Sequence, residues 1–450
     1  MNSGLPNRAV VVLLAVVLQS GIDGCTAQEK TKTMNTIFYR DDVKKPMTLS
    51  VPPAKVHAAR DLWAPAPQSP EPAHGFYCRP FANAMRNSRL PHVSGTGFRK
   101  IQWQADLDSS SHPRFVLNGG GRVLVQKDFA WELFDDRGSR IIRGGSGAGD
   151  IFLDGENGLF YTTDQDGLVV ARKLLDGKEA YAFFPMFGSG YDRTVLAREK
   201  RNVWVIGIEI PQVSHSAGRP AEYTVMEVQD LGDSLKKDED GILISNLRVA
   251  TLIARPVPLL TAMAGSKLVL GAPDHVYLAD GRLTVTGDLE FTGTPETMSL
   301  DEEGRIYLVV QIEDENKQMV RVLMVVSPDG SELLRTRLSG RSGNVIAPPV
   351  VGYDHTTYLL QGDTIVAVDS EGTIRWEGFA GGSIAGAVAT GDGKLLVSAG
   401  SIIASYDSIG EREVQFALEG EHWATPPVIT AGGKLIAASD KKLYCLEAQR

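Results

Sequence analysis

From residue 97 onward the chain reads as short runs of β-branched, aromatic and aliphatic residues, cut apart by Gly and Asp. Lys394-Leu-Leu-Val-Ser398 and Ile402-Ile-Ala-Ser-Tyr-Asp407 are typical. Such runs are too short for helices, and no apolar stripe at helical spacing interrupts them, so strands joined by turns are the expected elements. The runs also recur as a unit. Ala347-Pro-Pro-Val-Val351, Thr356-Thr-Tyr-Leu-Leu360, Thr364-Ile-Val-Ala-Val-Asp369 and Gly372-Thr-Ile-Arg-Trp376 make one. Ala385-Gly-Ala-Val-Ala389, the two runs above and Val414-Gln-Phe416 make the next. Thr425-Pro-Pro-Val-Ile429, Lys434-Leu-Ile-Ala-Ala-Ser439 and Lys442-Leu-Tyr-Cys-Leu446 begin another, which stops after three runs.

A period of about 40 residues with four strands per unit is the spacing of propeller blades. Earlier units keep the rhythm, starting near Arg114, Asp150, Arg193, Pro258 and Pro295. The strand missing from the last unit is found at the other end, where Phe98-Arg-Lys-Ile-Gln-Trp103 reads like Thr373-Ile-Arg-Trp376. Pairing it with the C-terminal strands removes the exposed edges of an open ring. The expected fold is therefore an all-β propeller of four-stranded antiparallel blades over residues 97–450. Eight blades are expected, or seven if the unit around 255–292 is miscounted.

The region before residue 97 differs. Arg8 precedes the apolar run 9–18, which is too short to span a bilayer and is followed by small residues, the pattern of an export signal over residues 1–27. Two processing sites fit. Cys25-Thr-Ala27 suits general cleavage, whereas Ile22-Asp-Gly-Cys25 resembles a lipoprotein box with Cys25 as the lipidated residue. Residues 28–75 are rich in proline and charge and read as a flexible tether, and residues 76–96 as a lead-in that packs on the propeller. No later segment is apolar enough to cross a membrane, so a single lipid is the only anchor expected. The net charge of −9 argues against nucleic acid as a partner. Three cysteines are too few for a disulfide scaffold; with Cys25 removed or lipidated, Cys78 and Cys445 either pair in an oxidising compartment or remain free thiols.

Ala347-Pro-Pro-Val-Val351, Ile365-Val-Ala-Val-Asp369 and Gly372-Thr-Ile-Arg-Trp376 resemble the repeats of pyrroloquinoline-quinone-type (quinoprotein-type) propellers, and the resemblance covers residues 76–450. It implies a closing Trp that docks between neighbouring blades. Trp376 and Trp103 occupy that position, while Phe416, Phe183 and Thr336 depart from it. The fold hosts enzymes, assembly factors and sensors alike. The quinone-dependent dehydrogenases that it resembles carry adjacent cysteines, a Ca²⁺-binding set and a catalytic Asp, and this sequence has no Cys-Cys pair. No cofactor is expected from the pattern.

Other chemistry is equally thin. The eight histidines show no His-x-x-x-His spacing, and there is no Cys-x-x-Cys or Gly-x-Ser-x-Gly. Asp164-Gln-Asp-Gly167, Asp154-Gly155 and Asp301-Glu-Glu-Gly304 read as turns, and Asp233 to Asp240 as a solvated loop. No catalytic or metal-binding residue is assigned. In a propeller, the connections between second and third strands share a face with those joining consecutive blades. Pro211–Glu222, with His215 and Arg219, and Glu313–Gln318 interrupt the repeat there, and Arg341, His422 and Trp423 lie in blade-to-blade connections. Insertions on one face mark the usual binding surface of a repeat protein. Trp423 has a second reading, as packing against the first strand of the last blade.

The expected function is a non-catalytic scaffold that binds another envelope protein, of the kind represented by propeller lipoproteins of outer-membrane barrel assembly. The alternative is a ligand-binding or residual quinoprotein-like enzymatic module using the central channel.

Overall fold

The structure is a computed structural model. It describes residues 89–90, 97–108, 112–119, 121–128, 130–145, 151–154, 158–163, 169–183, 191–199, 202–209, 222–229, 247–253, 261–264, 267–272, 275–279, 285–301, 303–327, 330–338, 347–430 and 432–448. All of them fall in one compact unit, Met47–Arg450. The expected signal, tether and Cys25 lie outside the described residues. Among the described residues every regular element is a strand, and no helix is long and apolar enough to cross a membrane.

The strands form eight four-stranded antiparallel sheets. Sheets 1 to 7 are each built from four consecutive strands and cover residues 113–145, 152–183, 191–253, 261–290, 294–337, 350–379 and 384–417. The unit that left seven and eight open in the repeat count is sheet 4, a regular four-stranded meander. Sheet 8 takes three strands from residues 428–448 and its fourth from Phe98–Asp106. In that pairing Phe98 lies opposite Ala448 and Asp106 opposite Lys442.

Burial follows from stacking the sheets side by side. The middle strands are covered on both faces, so Leu395–Ala399 is buried throughout and reads as an unbroken apolar run. The fourth strand alternates, as in Ile374–Phe379, because only one of its faces meets a neighbour. The core is accordingly a series of seams between adjacent sheets. One seam joins sheets 5 and 6 through Leu323, Val325, Leu359 and Val366; another joins sheets 6 and 7 through Tyr358, Ile365, Val397 and Tyr406.

Five of the seams among the described residues share a lock. The turn from third to fourth strand ends on a left-handed Gly and begins with Asp or Ser in sheets 1, 5, 6 and 7 and with Lys173 in sheet 2. In sheet 7, Asp407 Oδ1 accepts from the N–H groups of Ile409 (3.0 Å) and Glu411 (2.8 Å), and Gly410 sits at φ 85°. The space where a Cβ would lie is taken by the preceding sheet: Trp376 approaches within 2.8 Å of that point at Gly410 and Trp103 within 2.5 Å at Gly138. Thr336 fills the same place at Gly372, where its hydroxyl donates to the Gly372 carbonyl at 2.7 Å. Ile142 does so at Gly177 and Leu289 at Gly330. Thr336, which departs from the Trp pattern, therefore keeps its geometry with a smaller side chain.

Where the two chain ends meet, the lock is reinforced by charge. Arg140 donates to the Asp106 carbonyl, Lys127 donates to the Asp108 carbonyl, and the Asp108 amide donates to Glu132 Oε1 at 2.9 Å. Lys127 and Glu132 form a fully buried ion pair, and Arg143 pairs with the Asp108 carboxylate. The segment leaving Phe98–Asp106 is thus gripped by four charged side chains of sheet 1.

Gly410→Ala tests the lock. An alanine there must adopt a left-handed backbone and displace the Trp376 ring, so a loss of about 2 kcal/mol is expected from the denaturant midpoint. Gly433→Ala, at a similar φ but with open space around it, should lose only the backbone part.

Candidate functional site

Strand direction divides the connections between two faces. Second-to-third connections and the links between sheets lie on one, termed the upper face; first-to-second and third-to-fourth turns lie on the lower. Sheets 6 and 7 set the standard for the upper hairpins, with second and third strands of five residues each. In sheets 3 and 5 those strands are eight residues long: Asn202–Glu209 with Glu222–Gln229, and Ile306–Glu313 with Met319–Val326. Three extra residues on a strand add about 10 Å. In sheet 5 the fourth strand ends opposite Val322, so the hairpin tip overruns it.

That tip is rigidly built. Asp314 Oδ1 accepts from the N–H groups of Asn316 and Gln318, both at 2.9 Å, and its other oxygen pairs with Arg337 at 3.2 Å. The Gln318 amide foremost, against a desolvation that opposes it, and then Asn316 and Arg337, hold the Asp314 carboxyl below the usual carboxylate range. Met319, at the foot of the hairpin, is 57% exposed. Phe379, which ends the fourth strand of sheet 6 on the same face, is 60% exposed. Neither was a sequence candidate. Met319 directly follows the interruption at Glu313–Gln318, which was the one available signal.

Of the sequence candidates, His215, Arg219 and Arg341 lie outside the described residues. His422 is exposed in the link between sheets 7 and 8. Trp423 is no surface anchor: it is 4% exposed, bridges to Ser439 in the register of the first strand of sheet 8, and meets Phe416 and Tyr444 edge-on at 6.3 and 5.4 Å. The indole is core, as its second reading held. Beside it Glu421 accepts from Ser439 Oγ (2.6 Å) and Tyr444 OH (3.2 Å). Burial and then the Glu421 carboxylate push the Tyr444 phenol up to about 12.

Cys445 is a free, buried thiol whose Sγ donates to Gln102 Oε1 at 3.5 Å. Burial pushes it up to about 12. Cys78, its expected partner, lies outside the described residues. The expectation that insertions collect on one face needs correction. The connection of residues 230–246, between third and fourth strands of sheet 3, belongs to the lower face and is longer than either upper interruption. The acidic stretch from Asp233 to Asp240 made it look like a plain solvated loop, which hid its length relative to the neighbouring turns.

The lower face also holds a cluster that the sequence did not disclose. Asp301, Glu303 and His355 bring metal-type donor atoms within 4.8 Å of one another. Their centre is occupied by a fixed cation. Arg305 Nε meets Asp301 at 2.6 Å, and Arg305 Nη2 meets Glu303 at 2.9 Å and His355 Nε2 at 2.9 Å. Tyr307 OH donates to the buried Asp301 carboxylate at 2.8 Å. Arg305 is held above its ordinary range, against a desolvation that opposes it, by Tyr307, Asp301 and Glu303. The arrangement is an ion cluster that ties sheet 5 to sheet 6. Its signal in the sequence is positional: His355 stands at φ 62°, where the corresponding turns carry Gly304, Gly393 and Gly433.

No protein-family model matches the chain, and no curated protein matches it. Solved structures do. BamB from Moraxella catarrhalis is similar with a TM-score of 0.51 at 12% identity, over 77% of this chain and 97% of that one. Quinohemoprotein alcohol dehydrogenase from Comamonas testosteroni is similar with a TM-score of 0.53 at 10% identity, over 88% of this chain and 84% of that one. At these identities the likeness shows the fold, and it agrees with the quinoprotein-type repeats read from the sequence. Among the described residues Cys445 is the one cysteine, on the third strand of sheet 8 with Tyr444 and Leu446 beside it.

Two outcomes are expected here. Arg305→Met leaves Asp301 buried without its cation and should cost about 3 kcal/mol in the denaturant midpoint. Native protein at pH 8 should resist alkylation at Cys445, because burial disfavours the thiolate, and unfolding without reductant should make it react; a thiol still blocked after unfolding would reveal a disulfide.

Proposed function

We propose that this chain is a non-catalytic propeller scaffold of the cell envelope that holds another protein on its upper face. The observation that carries the reading is the pair of overlong hairpins in sheets 3 and 5, whose eight-residue strands exceed the five-residue ones of sheets 6 and 7. In sheet 5 the residues at the hairpin end of both strands are not buried, so the extra length there lies outside the seams. The exposed Met319 and Phe379 add apolar area, and Arg337 a charge, the residue types that anchor protein interfaces. Likeness to BamB supports a binding rather than a chemical role, and an exported chain with a single lipid on Cys25 fits such a scaffold. The residual-enzyme alternative draws on the likeness to the quinohemoprotein dehydrogenase, but the cysteine pattern speaks against it.

Crosslinking in intact envelope, followed by capture and mass spectrometry, tests this. A discrete partner should be recovered with wild type and lost on deletion of residues 211–222. Met319→Glu, which leaves the seams untouched, should weaken capture of the same partner without lowering the melting temperature. An unchanged partner list in both variants would sink the assignment to this face.

A further inference from the structure

Within the eight sheets every pairing is antiparallel; a parallel one joins them from outside. Arg89–Leu90 adds to the first strand of sheet 7 (Ile384–Thr390), with Arg89 beside Ala389 and Leu90 beside Thr390. The other edge of that strand is taken by Leu395–Ala399. Arg89–Leu90 therefore lies on the edge that faces away from the rest of sheet 7. That edge looks toward the axis. First strands of neighbouring sheets touch one another: Pro113–Gly119 meets Phe152–Asp154, Thr261–Ala264 meets Thr294–Leu300, and Val350–Val351 meets Ile384–Thr390. Gly386 is packed so closely on Pro426, just ahead of the first strand of sheet 8, that a Cβ would not fit.

We infer that the axial edge of Ile384–Thr390 is a strand-acceptor surface and that its occupant is the chain's own lead-in, seated in the central channel. An unpaired strand edge offers a row of N–H and C=O groups that any extended segment can satisfy. A segment of the same chain competes at high effective concentration and needs few bonds to win. Pro91 follows at once and has no N–H with which to prolong the ladder, which accounts for the two-residue length. The path onward is feasible. Gly97 donates to Gln415 Oε1 at 2.6 Å and Phe98 starts the rim strand of sheet 8. Eight Cα steps from Leu90 reach at most about 27 Å, while four strand spacings from axial edge to rim amount to about 19 Å. Along this wall the channel is filled by the protein itself, so a diffusible ligand or a partner's strand must displace Arg89–Leu90 to bind there. The inference is independent of the upper-face reading.

Disulfide trapping in the full chain tests it, in a Cys78→Ser background. Strand neighbours lie about 4.8 Å apart, within disulfide range, so Arg89→Cys with Ala389→Cys should link under mild oxidation in most molecules. Arg89→Cys with Ser299→Cys, on the first strand of sheet 5, should not. Equal linkage in both pairs, or alkylation at position 89 as fast as at exposed Ile409→Cys, would overturn the inference. If the cysteine pair disturbs folding, hydrogen exchange decides. Leu90→Pro should speed exchange several-fold across residues 387–390 and leave sheets 1 and 6 unchanged, and no change at 387–390 would overturn it. Partner capture is scored in the same samples, so this inference and the scaffold reading can fail separately.

Discussion

The contact on which the rest of the molecule depends is the insertion of a fourth-strand side chain into the notch above a left-handed glycine of the next sheet. A four-stranded sheet of five-residue strands cannot bury its faces alone, so each sheet needs its neighbours. The glycine does two jobs at once. Its φ, 84° at Gly372 and 85° at Gly410, closes the turn, and its missing Cβ creates the notch. Because the turn conformation and the inter-sheet contact are one feature, the repeat tolerates Trp, Thr, Leu or Ile as the plug but keeps the glycine. Trp376 shows the fullest version, stacked at 5.8 Å on Tyr406 of sheet 7 and tilted at 6.0 Å against Tyr358 of its own sheet.

The same logic explains what the sequence disclosed. Middle strands are covered on both sides, so their apolar runs and the Asp- and Gly-bearing turns between them announced the units even in the worn stretch that became sheet 4. The complementary strand Phe98–Asp106 was legible because it carries the plug residue Trp103 with no partner strands ahead of it. The lengths of strands beyond the repeat were less visible. The hairpin ends carry Glu209, Glu222, Gln311 and Glu313, so the overrun in sheets 3 and 5 had to be seen as pairing.

Side-chain sites left a cue only where one residue stands in a slot that the repeat gives to another, and that cue went unread. His355 in a glycine slot is such a case, and tolerating a left-handed histidine costs about 1 kcal/mol that the contact with Arg305 can offset. Trp423 shows the converse. In sequence, a Trp flanked by His and Ala in a link between sheets looks like an exposed anchor. Its bridge to Ser439 turns it inward. An unpartnered indole N–H, buried among Phe416 and Tyr444, is the residual cost of that packing.

Closure imposes the last constraint. A ring of stacked sheets has one seam that no turn connects, the one crossed by the two chain ends, and here the chain spends its fully buried Lys127–Glu132 pair. A buried ion pair adds little net stability over an apolar one, but it is intolerant of misplacement, since an unpaired buried charge is costly. At the junction between the first and last elements that intolerance is useful. The Asp108 amide and carbonyl add hydrogen bonds to Glu132 and Lys127, which already pair with each other within sheet 1. Phe98–Asp106 thus takes its register from the ladder with Lys442–Ala448, and the charges of sheet 1 grip the segment that leaves it.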